Sequence, residues 1–234
     1  MKKNDTIKSI FVFLLYFITF ILAYLTNYIS NRTIIRVFFY ATIILEIALP
    51  ILLIIIFRKL LVNDFKSFKT NYKEILKTAF KYWGLGLLAM AFFNYTLHFI
   101  VGSIATNEEL NRGLIDSNVF LAALLVLIYA PFTEELLFRA NFKRLFNNIW
   151  KYVIFSGLLF ASLHVATAFL NTSSFKEFIS NWKQLLFVFP YVSLGIAFAL
   201  AYYKTDNIYS SMIVHFTHNL LSLSIILLSL LIPM

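Results

Sequence analysis

The sequence predicts an all-α fold, a polytopic transmembrane helical bundle of about seven spans with a cytoplasmic N-terminus, and three observations predict it. The first is composition: 61% of the residues are hydrophobic, only 13% are charged, and the mean hydropathy is +0.82. That balance lies far outside the range of soluble domains. The second is pattern, because the apolar stretches are continuous rather than alternating and approach the about 20 residues that a helix needs to cross hydrocarbon, which excludes a β-barrel. The third is the placement of the basic residues. Alternating connections carry 15 lysines and arginines on one side and 5 on the other, and the richer side is the cytoplasmic one. No linker, low-complexity tract or repeat divides the 234 residues, so they are read as a single membrane-embedded domain over 1–234.

Taken in order, the predicted spans are 9–29, 37–57, 82–104, 118–138, 152–170, 184–203 and 208–232. The opening MKKNDTIK followed by apolar residues resembles a signal peptide. Without a small-residue cleavage site, however, it reads as a first transmembrane helix. Between the second and third spans, Lys66, Lys69, Lys73 and Lys77 alternate with Phe65, Phe68, Tyr72, Ile75 and Leu76. This spacing predicts a basic amphipathic segment over 64–81 that lies against anionic lipids of the inner leaflet. The net charge of +9 is thereby explained by the cytoplasmic connections, and no nucleic-acid partner is expected. Absence of cysteine excludes disulfides, thiolate metal ligands and a cysteine nucleophile.

Few strongly polar side chains fall inside the spans: Glu46, Asn94, His98, Glu134, Glu135, His164, His215, His218 and Asn219. Ionisable groups in hydrocarbon are costly and normally face a protein interior or a water-filled cavity. At a rise of about 1.5 Å per residue, Glu134 and His164 each lie about 20 Å from the cytoplasmic ends of their helices, and His215 about 13 Å from Asp206. Glu135 and Arg139, Phe160 and His164, and His215 and Asn219 are i, i+4 pairs that share a helix face. Glu134 and Glu135 point about 100° apart, so one can face a cavity while the other takes Arg139 as counter-ion. His98 and His218 read as packing residues. Glu46, four residues before Pro50, reads as a helix–helix contact or as a partner for backbone freed by the proline.

A carboxylate beside histidines in a dry cavity can deprotonate a water molecule, and a histidine with an asparagine can stabilise an oxyanion. The same residues would also suit a divalent metal such as zinc, held by Glu134, His164 and His215. Other intramembrane protease designs are absent from the sequence: there is no His-Glu-x-x-His helix, no aspartate within a span and no Gly-x-Ser-x-Gly elbow.

In their order on three late helices, Glu134-Glu135-x-x-x-Arg139, Phe160-x-x-x-His164 and His215-x-x-x-Asn219 resemble the three motifs of the CPBP family, the CAAX-protease and bacteriocin-processing membrane proteases also called Abi. The resemblance covers about 130–220, within a family-like core over 118–232. It implies an intramembrane endopeptidase with Glu134 as the water-activating base, His164 positioning the water, and His215 with Asn219 stabilising the oxyanion. Glu135, Arg139 and Phe160 are supporting members. The glutamate mechanism without a catalytic metal is favoured over the metal-dependent one. The expected substrate is a peptide or membrane protein, in bacteriocin immunity or peptide processing rather than CAAX processing, and the expected location is a bacterial cell membrane. Two other classes compete: a non-catalytic membrane scaffold or regulator with the same fold, and a proton-coupled carrier. The carrier is disfavoured because the chain has no inverted halves or paired broken helices.

Overall fold

The computed structural model describes residues 3–25, 29–170 and 175–231. Its elements are α1 (Lys3–Leu25), α2 (Arg32–Val101), α3 (Thr106–Ser117), α4 (Val119–Lys143), α5 (Ile149–Leu170), α6 (Phe175–Ser180), α7 (Val188–Thr205, led in by a 3-10 turn over Asn181–Phe187) and α8 (Ile208–Leu231). No strand occurs among the described residues. Five helices are long and apolar enough to cross a membrane, and the apolar part of α1 is Ile10–Thr19. The chain is an integral membrane protein of all-α class. Lys2, the end of the first predicted span at 26–28, residue 232 and the C-terminus lie outside the described residues.

The starts of four of the five spanning helices are written in asparagine. Asn31, Asn118, Asn148 and Asn207 precede α2, α4, α5 and α8, and each side-chain oxygen accepts backbone N–H bonds from the first turn, for example Trp150 N to Asn148 Oδ1 at 2.8 Å. Such caps satisfy donors that a helix cannot satisfy itself. At the far end of α2, Gly102 adopts φ +72° and returns its N–H to His98 O at 3.2 Å, a left-handed stop that favours glycine.

The 70 residues of α2 hold both the second and third predicted spans and the basic segment between them. Backbone helicity breaks at Asn71 (φ −122°, ψ 18°), and the two arms are antiparallel. Along the first arm, Glu46 meets Tyr129 and Asp64 meets the start of α8. Along the second arm, Gly86 meets Ala197, and Phe93 stacks on Phe189 at 5.5 Å. The stretch 64–81 is therefore the turn-proximal part of a helical hairpin, continuous with both spans rather than a separate helix. Lys66, Lys69, Lys73, Lys77 and Lys81 are exposed on it, while Ile75 and Ala79 are buried.

At the centre stands α7, whose Leu194, Ala197, Phe198, Ala199 and Ala201 are buried between the second arm of α2 and α5. The approach of α7 to α5 depends on two glycines. A Cβ at Gly195 would lie 2.8 Å from Gly157 Cα, and one at Gly157 would lie 2.8 Å from the Ile196 side chain, so the backbones meet where neither residue has a side chain. The lysine-rich end of the bundle is closed by an ion pair between Lys143 and Asp206, and by Asp64 Oδ2 accepting the Ile208 N–H at 2.8 Å.

Candidate active site

Helix α4 carries the two glutamates, and it is not a regular α-helix. Leu124–Tyr129 and Leu136–Ala140 are wound as π-helix on either side of the α-helical turns Ala130–Glu135. In the first of these, the Ala130 N–H reaches back five residues to Leu125 O. The next residue, Pro131, has no N–H to give. Val126 O is thereby left for another donor, and Asn219 Nδ2 fills the place at 2.8 Å. A second proline acts in the same way on α2: Pro50 deprives Glu46 O of its helical partner, and Tyr129 Oη donates to that carbonyl at 3.1 Å. Both prolines thus tie helices together at the site. The freed carbonyl is thus taken by Tyr129 rather than by the Glu46 side chain, the partner that the sequence suggested.

The glutamates divide. Glu135 is fully buried, with Oε2 3.3 Å from Arg139 Nε and Oε1 2.8 Å from His215 Nδ1. Arg139 is also fully buried; it donates to Gly195 O at 3.3 Å and stands over the rings of Phe160 (4.6 Å) and Phe198 (5.5 Å). A buried ion pair needs this surrounding set of partners, because the attraction between the charges has to offset their desolvation. Glu134 faces the other way, into a cavity of about 350 Å³ that His164, His215 and Asn219 also line, and its Oε2 is buried without a hydrogen-bond partner.

Both histidines are held by Nδ1. In His164, Nδ1 is 2.9 Å from Phe160 O, one helical turn back, and its ring lies against Phe160 (4.2 Å) and Tyr191 (4.8 Å). His215 stacks on Phe198 at 4.7 Å with its Nδ1 on Glu135. Carbonyl and carboxylate both demand a proton on Nδ1, which directs the chemistry of each ring to Nε2. Phe160 supports three groups at once, touching Arg139, His164 and His215 (5.8 Å).

The structure therefore brings Glu134, His164, His215 and Asn219 to one cavity, and places Glu135, Arg139 and Phe160 directly behind it. Two residues were undervalued by sequence reasoning. His218 lines the same cavity, 8% exposed, with Nδ1 unpartnered, and Glu46 belongs to the wall opposite. Their one sequence signal was the presence of an ionisable residue within a span. His98 lies away from this cavity, in a second one of about 310 Å³.

Metal-binding histidines commonly tie their second nitrogen to a carboxylate or carbonyl, and His164 and His215 are held in that manner. The inner ligand set does not follow. Among the described residues no three His, Asp or Glu side chains converge as ligands, and Glu135, the carboxylate bonded to a histidine, is also paired with Arg139. The donor set does not fit a resident metal, and no chemistry is derived through one.

Residues 116–221 match the family model described as type II CAAX prenyl endopeptidase Rce1-like. The chain is also 28% identical over 185 residues to UPF0177 protein YbdI of Lactococcus lactis subsp. lactis (strain IL1403), an alignment spanning 74% of this chain and 92% of the relative. No solved structure matches it.

Proposed function

We propose that this chain is an intramembrane endopeptidase in which Glu134 activates water, a reading supported by the match of residues 116–221 to the type II CAAX prenyl endopeptidase Rce1-like family model. The observation that carries the reading is the separation of roles in the glutamate pair. Glu135 is engaged by Arg139 and His215, while Glu134 meets His164, His215 and Asn219 across a cavity large enough for a peptide segment.

A water held between Glu134 and His164 Nε2 loses a proton to the Glu134 carboxylate as its oxygen bonds to the peptide carbonyl carbon. The carbonyl oxygen becomes an oxyanion. Asn219 gives one amide hydrogen to Val126 O and has a second for that oxygen; His215 donates from Nε2 when the ring carries both protons. Collapse of the intermediate breaks the C–N bond, and Glu134 returns its proton to the departing amine. Carboxylic acid and amine leave, and every group regains its starting state without a covalent intermediate.

The substrate class is a peptide or a membrane-protein segment, in bacteriocin immunity or peptide processing, and the bacterial source of the relative supports a bacterial cell membrane as its place. The test is cleavage by reconstituted protein, with candidates drawn from the membrane and secreted peptides that differ between wild-type and Glu134→Gln cells. Glu134→Gln and His164→Ala are each expected to lower turnover by about 10²-fold or more. Unchanged turnover in both overturns the proposal.

A further inference from the structure

The cavity has a direction, which follows from the lining residue by residue. On α4 the lining positions run from Leu125 to Glu134 and none lies beyond; on α8 they start at His215 and continue to Ile226; on α7 they end at Phe198. Each helix thus contributes only the part lying away from the Lys143–Asp206 end. Below the catalytic groups, Leu136, Leu137, Phe138, Tyr152 and Phe198 are at most 1% exposed and seal the floor. At the other end the wall passes to α3, where Asn107, Glu108 and Asn111 line the cavity. The second cavity, bordered by His98 and Arg112, shares Glu108, Tyr191 and Ser222 with the first, so both open into one vestibule.

The sealed end carries the lysine-rich connections, and the open end carries the poor ones, with 14 basic residues against 5 over the whole sequence once the buried Arg139 is set aside. The open end is thus the face turned away from the cytoplasm. The deep lining has a sign: Glu46 and Glu134 contribute carboxylates there and no lysine or arginine lines that cavity among the described residues, while at the mouth Glu108 is already paired with Arg112 at 3.1 Å. His218 adds a buried, unpartnered ring nitrogen to the same wall.

Resting on the peptide-hydrolysis reading for what happens inside, the geometry points to a substrate that enters from the extracytoplasmic face and carries a basic side chain close to the bond presented to Glu134. An acidic, low-dielectric vestibule concentrates cations and repels anions. An extended peptide passing α3 and the Glu108–Arg112 pair places such a side chain deeper, beside Glu46.

The natural absence of cysteine makes a single-cysteine test clean, and it needs no known substrate. Asn111→Cys in intact cells is expected to react with a membrane-impermeant maleimide, and Lys204→Cys only after the membrane is opened. The reverse pattern overturns the direction of entry. For charge, Ser222→Cys is expected to react more than about fivefold faster with a cationic than with an equally sized anionic methanethiosulfonate, and Glu46→Gln to bring the two rates together. Equal rates in the unaltered vestibule, or no reaction from outside, overturn the basic-substrate assignment. None of these readouts depends on turnover. The hydrolysis reading stands or falls separately, on Glu134→Gln.

Discussion

The most demanding residue in the molecule is Arg139, a guanidinium with no exposed surface. Replacing it by Met leaves Glu135 a buried carboxylate with His215 and Ser211 as its polar neighbours, and removing one partner of such a pair typically costs about 3–5 kcal/mol. Arg139→Met is therefore expected to unfold well below wild type in a detergent melt, whereas Glu134→Gln, whose carboxylate only faces the cavity, is expected to melt near wild type. Asn219→Leu should lie between, since it leaves Val126 O without its donor at about 1–3 kcal/mol. At this scale the sequence was informative wherever partners share a helix. Spacing of four paired Glu135 with Arg139 and Phe160 with His164. It was silent on the bond between Glu135 and His215, which spans 80 positions, and on Asn219 with Val126, because such contacts depend on how the helices are packed.

At the scale of elements, the apolar helices from α4 onward were legible to within a few residues, since length and continuity of hydrocarbon settle them, whereas the second and third predicted spans run on into one 70-residue helix broken at Asn71. The π-helical windings in α4 were not. They exist because neighbouring helices take up the carbonyls they release, as Asn219 does for Val126 and Ser156 Oγ for Phe138 O at 2.8 Å, and Pro131 was the single local hint. Helix α3 was also missed, being short and polar among apolar neighbours. The glycine-to-glycine contact of α7 with α5 supplies the prediction proper to this scale. Gly195→Ala forces a methyl against Gly157 and should separate α7 from α5, at a cost of about 1–3 kcal/mol. Because Phe160 and His164 ride on α5, activity should fall further than thermal stability alone accounts for, which turnover measured well below the melting temperature will reveal.

For the whole molecule, the distribution of basic residues anticipated how the helices are sided. Lys143 and Lys204 cluster with the turn of the α2 hairpin at one end, while Lys183 reaches Ile100 O at the other. The row Lys66, Lys69, Lys73 and Lys77 projects from that hairpin, and we propose that it rests on anionic headgroups, each lysine contributing about 1 kcal/mol near such a surface. Changing all four to Gln should reduce retention of anionic lipid during purification, measured as lipid bound per protein, and leave zwitterionic lipid unaffected.

The π-helical winding at Leu124–Tyr129 also bears on how long this helix has to be. A π turn absorbs one residue more than an α turn between the same two ends. A chain lacking one residue of 124–129 could close that stretch as ordinary α-helix and still present Glu134 to the same neighbours, whereas a deletion within 130–135 would swing the glutamates around the helix by about 100°. The shorter chain would lose only the protruding carbonyl that grips Asn219. The extra residue is therefore dispensable for threading the membrane, and its product is an anchor for one side chain of the site.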